Sequence, residues 1–356
     1  MIRLTTALLS LFLLMIQPAQ AQTSALSALP DCGFAERIAM DGLRVGAVVL
    51  NLENGQGCAE SLDERFQVAS VMKLFVAGAY LERANLSLSP QQRVLTFTRE
   101  YWMAGRDDCL RREDIGRSYD YLSLISLMIG CSDNAATWML MDALGWGTVQ
   151  DYVRRHASRG AGEVLPYAEV DKRKLILSDS RWRDVPTVLA SRFYRVGMTE
   201  GLGEYLNPLP QRLHGQQYNT LNARYFRETE SNTATPRAIA EYLIYLHLAA
   251  QNGGWANQVL AQRMFAALLT TPRQYSMESA PADWRIGSKD GLDRGIAAEA
   301  NIVFTEDDPL RVRAVVVVFL QQTRSDSRAF QLPTRPDSPL NVIMRQLSGI
   351  IMGYLG

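Results

Sequence analysis

The distribution of apolar and polar residues predicts β-strands near both ends of the chain. Residues 44–50 are apolar after Arg44, and Glu53-Asn54-Gly55 follows as a turn that leads into a second strand. Towards the C-terminus, three segments have the composition of strands and a final one has the periodicity of a helix; the strands are 284–289, 296–304 and 312–320, and the helix is 340–355. Strands at both termini favour one sheet built from the two ends of the chain.

The middle of the chain predicts helices. Residues 71–81 are apolar almost all round, which is typical of a helix buried in a large protein. Residues 121–144 carry two helical runs with a polar interruption at 131–134. Thr235-Pro236 is typical of a helix start, and the helical pattern continues to Gly253-Gly254. These elements predict an α+β fold in which an antiparallel sheet is flanked by helices and an all-helical lobe is inserted between its halves.

The length of the chain is consistent with two lobes. Its 356 residues exceed what one compact core usually fills. We assign residues 22–72 and 252–356 to an α/β lobe and residues 73–251 to a helical lobe.

The N-terminus has the features of a secretory signal peptide. Arg3 precedes an apolar segment at 7–16, and Ala19-Gln20-Ala21 follows. A membrane anchor is the alternative, but ten residues at about 1.5 Å each do not cross roughly 30 Å of hydrocarbon. We therefore expect residues 1–21 to be removed and the mature protein to be periplasmic, exported across the inner membrane, with no membrane anchor after processing.

The cysteine count indicates disulfide bonds in such an oxidising compartment. All four cysteines lie after the predicted cleavage site, and four cysteines allow three connectivities. We favour Cys32–Cys58 and Cys109–Cys131, because each pair closes a modest loop within one predicted lobe. A zinc site is the alternative, but the chain has no C-x-x-C and only three scattered histidines.

Composition and charge argue against nucleic acid and anionic membranes as ligands. The chain has 37 Lys+Arg and 37 Asp+Glu, with 47% hydrophobic and 21% charged residues, which is ordinary for a folded globular protein. A net charge of zero gives no general attraction to nucleic acid or to anionic membranes. We expect a monomer that binds a small-molecule substrate and uses no metal and no cofactor.

Three short motifs carry candidate chemistry: Ser70-Val71-Met72-Lys73, Ser132-Asp133-Asn134 and Lys289-Asp290-Gly291. The first places a hydroxyl and an amine three residues apart on one face of a helix start, where a desolvated lysine can take the serine proton. Each motif alone has a simple alternative: a helix-capping serine with a surface lysine, an ordinary helix N-cap, or a solvent-facing strand lysine. All three in this order, in matching helix and strand contexts, favour catalysis.

In this order the motifs resemble those of class A β-lactamases and penicillin-binding proteins. The resemblance to class A β-lactamases covers nearly all of the mature chain, and further segments support it: Arg44-Val45-Gly46, Phe66-Gln67-Val68-Ala69, Thr233-Ala234-Thr235-Pro236-Arg237-Ala238 and Arg294-Gly295-Ile296-Ala297-Ala298. It implies that Ser70 is the acylated nucleophile and that Lys73 accepts or relays its proton. It also implies that Ser132 protonates the leaving nitrogen and that Lys289 supports the hydroxyl of Ser132.

The resemblance implies substrate-binding positions as well. Asn134 is expected to bind the acylamino side chain of the substrate. The backbone N–H groups of Ser70 and Leu292 are expected to form the oxyanion hole, and Gly291 to allow close approach to the strand. Arg294 matches the position whose guanidinium pairs with the substrate carboxylate.

Two positions depart from the family pattern. Asp290 replaces the usual Thr or Ser, so either Lys289 and Arg294 neutralise it or the preferred substrate is not the usual anionic β-lactam. The deacylating glutamate is not found: counting back from Pro236 leads to Tyr218, within an enlarged Ω-loop region at about 158–235. Glu204, followed by Asn207, is one candidate base there; Glu163, Glu169 and Glu200 are others. The run Lys172-Arg173-Lys174 in the same region is predicted to be a solvated face.

The leading hypothesis is therefore a serine hydrolase acylated at Ser70 that opens a β-lactam amide. A penicillin-binding or DD-peptidase-like enzyme, or an esterase, with slow deacylation is the second. A ligand-binding homologue without turnover is the third.

Overall fold

The computed structural model describes residues 26–104, 109–157, 160–305, 308 and 310–356. The predicted signal peptide lies outside these residues. The strands are β1 (Leu43–Asn51), β2 (Gly57–Glu60), β3 (Phe66–Gln67), β4 (Val94–Thr96), β5 (Ser118–Asp120), β6 (Thr233–Ala234), β7 (Ile286–Asp293), β8 (Ile296–Phe304) and β9 (Val312–Gln322). The helices are α1 (Phe34–Ile38), α2 (Lys73–Leu86), α3 (Pro90–Arg93), α4 (Tyr121–Gly130), α5 (Asn134–Leu144), α6 (Trp146–Ala157), α7 (Tyr167–Ser178), α8 (Thr187–Val196), α9 (Gly215–Glu228), α10 (Pro236–Asn252), α11 (Trp255–Leu268) and α12 (Pro339–Leu355).

The main sheet combines strands from both ends of the chain. Its order is β2-β1-β9-β8-β7, with every neighbouring pair antiparallel. Strand β9 is at the centre, between β1 and β8, and β7 lies at one edge. The α+β fold with an antiparallel sheet and flanking helices, predicted from the sequence, is confirmed.

Both faces of the sheet are covered, which explains why its strands are nearly continuous apolar runs. Val315 and Val317 of β9 belong to the core shared with the helical region, whereas Val316 and Val318 belong to the core formed with α12. Successive side chains of a strand point to opposite faces, so a strand with two buried faces needs apolar residues at every position.

Several predicted boundaries shift. The helix expected from residue 71 begins at Lys73, after a short 3₁₀ turn at Ala69–Met72. The strand expected at 284–289 is Ile286–Asp293, so Gly291 and Leu292 lie within it. The helix start at Thr235-Pro236 is confirmed, with the Thr235 hydroxyl accepting from the Ala238 N–H at 3.0 Å.

Both favoured disulfides are confirmed. Cys32 pairs with Cys58, and Cys109 pairs with Cys131. The second bond holds the segment after residue 108 against the end of α4, immediately before Ser132. Among the described helices, none combines the length and the apolar character needed to cross a bilayer.

The region between α6 and α10 folds as an insertion with a small core of its own. Helices α7, α8 and α9 lie in it, and eight buried apolar residues form the core: Leu175, Trp182, Val185, Ala190, Phe193, Tyr194, Leu202 and Leu206. Its two ends meet in a neck, where the Thr235 N–H donates to Gly160 O at 2.8 Å and the Gly162 N–H donates to Thr233 O at 2.9 Å. The neck lies beside β3, because β3 pairs with β6.

Candidate active site

A strained turn presents Ser70 at the start of α2. Ala69 has a φ of 43°, in the left-handed region that non-glycine residues rarely adopt. The 3₁₀ turn that follows places residues three apart on the same side, so Ser70 and Lys73 share one face. Both residues are buried, with exposed fractions of 7% and 1%. Burial of a lysine that close to the serine is the arrangement needed for an amine to handle the hydroxyl proton.

The amine of Lys73 joins the first motif to the second. Its Nζ donates to Ser132 O at 2.5 Å and to Asn134 Oδ1 at 2.9 Å, and it lies 3.3 Å from Ser132 Oγ. These contacts fix the amine between α2 and the start of α5.

The amine of Lys289 joins the third motif to the second. Its Nζ donates to Ser132 Oγ at 3.0 Å, and its side chain has no exposed area. The Ser132 hydroxyl therefore lies within hydrogen-bond distance of two lysine amines, one from each side of the cleft. A hydroxyl so placed can pass a proton between an amine and a substrate atom.

Two devices hold Ser132 in place. The Cys109–Cys131 disulfide immediately precedes it, and Asp133 caps α5 by accepting from the Ala136 N–H at 2.7 Å. The second oxygen of Asp133 accepts from the Leu110 N–H at 2.7 Å. Asp133 therefore has the N-cap role considered for this motif, while Ser132, with a φ of 57°, is turned towards the two lysines.

Strand β7 passes very close to the nucleophile turn at Gly291. A Cβ atom at this position would lie 2.1 Å from Val68 O and 2.9 Å from Ser70 N, so no side chain fits there. The close approach brings the backbone of β7 next to Ser70, as expected for a strand that contributes an N–H group to an oxyanion hole. Leu292 follows on this edge strand, half-buried, and its oxyanion role stays a prediction.

Asp290 shares the amine of Lys289. Its Oδ1 lies 2.9 Å from Lys289 Nζ, which also donates to the backbone O of Asp290 at 2.7 Å. Burial raises the pKa of the Asp290 carboxyl, but the charge of Lys289, its hydrogen bond to the carboxylate, a backbone hydrogen bond and the charge of Lys73 together hold that pKa below its usual range. Asp290 is therefore ionised at neutral pH.

Arg294 is not brought together with these groups. It lies in the two-residue loop between β7 and β8, and its guanidinium donates to Asn219 Oδ1 at 3.2 Å and covers the ring of Tyr218 at 5.0 Å. At about 3.3 Å per residue, it is roughly 10 Å beyond Gly291 along the chain. Of the two residues considered for neutralising Asp290, only Lys289 is in contact with it.

The residues considered for the place of the deacylating base are exposed or engaged with other partners. Tyr218 is on α9 rather than in a loop, and its hydroxyl donates to Tyr194 O at 2.6 Å. Glu204 is exposed at the end of a 3₁₀ turn. The other three form ion pairs with arginines: Glu163 and Glu169 with Arg173 at 2.9 and 3.2 Å, and Glu200 with Arg99 at 2.7 Å.

Sequence reasoning missed Asn232, which links the insertion neck to the nucleophile. Its backbone O accepts from the Val68 N–H at 3.1 Å, and its side-chain amide exchanges two hydrogen bonds with the backbone of Leu165, at 2.8 and 3.1 Å. Its φ of 52° suits asparagine better than most residues. A lone asparagine before a helix start gives no signal of this role.

The prediction that Lys172-Arg173-Lys174 is a solvated face was wrong for Lys174. This side chain has no exposed area, and its Nζ lies 2.8 Å from Asp293 Oδ2 on β7. The aromatic side chains of the insertion surround the amine and exclude water from it.

A five-stranded antiparallel sheet built from both chain ends, with a serine and two lysines at its junction with a helical region, is the architecture expected of a β-lactamase-type serine hydrolase. Comparison with known families agrees with this class. The sequence profile of the Beta-lactamase enzyme family matches residues 34–355, and the chain belongs to that family.

Solved structures of class A β-lactamases share the fold at low sequence identity. The class A β-lactamase of the last common ancestor of Gram-negative bacteria is 18% identical, with a TM-score of 0.59 over 91% of this chain and all of the other. A structure of L2 complexed with relebactam is 17% identical, with a TM-score of 0.60 over 94% of this chain and 98% of the other. No curated protein shows significant sequence similarity to the chain.

Proposed function

We propose that the protein is a serine hydrolase acylated at Ser70 that opens the amide bond of a β-lactam. The observation that carries this proposal is the position of the Ser132 hydroxyl, 3.0 Å from Lys289 Nζ and 3.3 Å from Lys73 Nζ, beside the turn that presents Ser70. Two lysine amines thus flank the hydroxyl of Ser132, and one of them, Lys73, shares a helix face with the nucleophile Ser70.

Acylation follows from this placement. Ser70 Oγ attacks the substrate carbonyl while its proton passes to Lys73, and the carbonyl oxygen becomes an oxyanion facing the N–H groups of Ser70 and Leu292. When the intermediate collapses, the carbon–nitrogen bond breaks. Ser132 then protonates the leaving nitrogen and recovers a proton from Lys73, which regenerates the neutral amine.

A penicillin-binding or esterase-like activity with slow deacylation is the second candidate. It is favoured by the carboxylates of the insertion, because Glu163, Glu169 and Glu200 are held by arginines and Glu204 is exposed. Hydrolysis of the acyl ester needs a water molecule activated by a base, which contributes about 10²–10⁴ in rate. The two candidates share acylation of Ser70 and differ in the acyl donor and in how fast the ester is hydrolysed.

The test compares wild type, Ser70→Ala and Ser123→Ala, a control on the surface of α4 whose hydroxyl bonds only locally to Asp120. Each is mixed with a chromogenic cephalosporin, and both turnover and intact mass are followed. We expect a covalent adduct or turnover in wild type and in the control, and neither in Ser70→Ala. Unchanged hydrolysis by Ser70→Ala refutes the proposal, whereas ligand binding without any adduct in wild type supports a non-turnover homologue.

A further inference from the structure

The third motif places a carboxylate, that of Asp290, next to the Lys289 amine in the candidate active site. Asp290 Oδ1 lies 2.9 Å from Lys289 Nζ, and the same amine donates to Ser132 Oγ at 3.0 Å. The Lys289 amine therefore lies between this carboxylate and the Ser132 hydroxyl, which is proposed to protonate the leaving group. Its side chain is 22% exposed, whereas that of Lys289 is not exposed at all, so a ligand approaching Lys289 meets Asp290 first.

The negative charge of Asp290 offsets the positive charge that would attract an anionic substrate. Lys289 is in direct contact with this carboxylate, and Arg294 is turned to Asn219 and Tyr218 on the insertion. Lys73 donates to oxygen atoms of Ser132 and Asn134, and its charge also acts on the Asp290 carboxylate. A carboxylate on the substrate that reached Lys289 would compete with Asp290 for the same amine and lie within a few ångströms of a like charge.

We propose that Asp290 is a specificity-determining residue, which directs the site to acyl compounds that carry no negative charge beside the scissile bond. Neutral esters and amides avoid this repulsion, and compounds with a hydrogen-bond donor or an ammonium group at this place can also pair with the Asp290 carboxylate. This inference rests on the proposed acylation of Ser70 and deepens it by naming the substrate class.

The experiment uses two pairs of compounds that differ in charge. The first is a chromogenic cephalosporin with a free carboxylate and its methyl ester; the second is 3-carboxy-4-nitrophenyl butyrate and p-nitrophenyl butyrate, which likewise differ by a carboxylate on the leaving group. Second-order acylation rates are measured for wild type, Asp290→Asn and Asp290→Thr. Asp290→Asn removes the charge at nearly constant shape, and Asp290→Thr introduces the hydroxyl usual in the family.

We expect wild type to favour the neutral member of each pair. Both variants should reduce that preference by about 10- to 100-fold, the effect of removing one like charge from a partly exposed contact. The change should come mainly from faster reaction with the anionic member, because general damage to the site would slow both members equally. Faster reaction of wild type with the anionic compounds, or an unaltered ratio in both variants, overturns the inference.

The outcomes also separate this inference from the proposed function. Charge selection seen with the nitrophenyl esters but no reaction with either cephalosporin supports the role of Asp290 and rejects β-lactam opening. Reaction with the cephalosporins at a ratio that Asp290 does not affect keeps the proposed function and rejects the inference. The absence of both turnover and a Ser70 adduct with all four compounds rejects both.

Discussion

Lys174 Nζ and Asp293 Oδ2 lie 2.8 Å apart in the interior of the protein, and this ion pair joins α7 of the insertion to β7. Strand β7 also carries Lys289 and Gly291, so the insertion is attached to the strand that forms one wall of the site. Four aromatic rings surround the amine at 5.4–5.8 Å, from Tyr167, Tyr194, Tyr225 and Phe226. Burial raises the pKa of Asp293, but the charge and hydrogen bond of Lys174, with further hydrogen bonds from Tyr167 and the Arg294 N–H, together hold that pKa below its ordinary range.

Replacing Lys174 with methionine should destabilise the protein strongly. Removal of one partner leaves Asp293 buried without its cation, which costs about 3–5 kcal/mol of unfolding free energy. Urea unfolding measures the loss, with Arg224→Met as the matched control because Arg224 pairs with Glu228 on the surface of α9 at 2.8 Å. The control should lose less than about 1 kcal/mol. Equal losses in both variants would show that the buried pair has no special role.

Glu299 should make stability fall as the pH rises. Burial raises the pKa of this carboxyl from 4.5 to about 7, and the charge of Asp290 on the neighbouring strand adds to the shift. The folded pKa lies above the unfolded one, so ionising the buried carboxyl lowers the unfolding free energy. This loss is absent below pH 4.5, grows between pH 4.5 and 7, and is complete above pH 7. At about 1.4 kcal/mol per pKa unit, it reaches about 3 kcal/mol.

The variant Glu299→Gln tests this expectation because it removes the charge and keeps a hydrogen-bond acceptor. In wild type the Ser276 N–H donates to Glu299 Oε2 at 2.9 Å, and the amide oxygen of glutamine can accept the same bond. Unfolding free energies at pH 5 and pH 8 are compared with those of wild type and of Glu113→Gln, an exposed control. We expect Glu299→Gln to be more stable than wild type at pH 8. A pH dependence identical to that of wild type would contradict the assignment.

Gly291→Ala should abolish acylation with a smaller effect on the overall fold. The added Cβ would lie 2.1 Å from Val68 O, so β7 must move away from the turn that presents Ser70. A 1 Å displacement at a reacting centre costs about 100-fold in rate. Acylation is followed by intact mass, and folding by thermal unfolding.

The matched control is Gly349→Ala in α12, where a Cβ meets nothing within 4 Å. Alanine there should leave acylation intact and raise stability by about 0.5–1 kcal/mol, because glycine is unfavourable within a helix. Full activity of Gly291→Ala would mean that β7 does not contribute to the site in the way the close contact indicates.

Deacylation should be the slow step with penicillins. Tyr218 does not replace a glutamate, because burial raises the pKa of its phenol above the usual 10, outweighing the nearby arginines. We expect a burst of one product equivalent per enzyme, with the adduct accumulating on Ser70. Rapid-quench mass measurements check this, and Glu204→Gln should behave as wild type. Fast turnover that is lost in Glu204→Gln would instead identify Glu204 as the base.

Much of the fold and the central residues of the site could be predicted from the sequence, because both depend on local patterns. Apolar runs bounded by turns identified the sheet strands, and Thr235-Pro236 identified the start of α10. The spacing in the three motifs identified Ser70, Lys73, Ser132 and Lys289, whose placement in the structure is consistent with their predicted roles. A short range of residues determines each of these features, so the surrounding structure has little influence on them.

The sequence by itself determined which residues are candidates for the chemistry and which elements they stand on. Only the tertiary structure decided which partners the charged side chains have. Lys174 is buried beside Asp293, Arg294 contacts α9, and Asp290 is paired with Lys289. The reason is physical, because the environment of a long charged side chain is set by neighbours distant in sequence. Lys174 and Asp293 are separated by 119 positions and are stabilised by a desolvated contact that exists only after the insertion has packed onto β7.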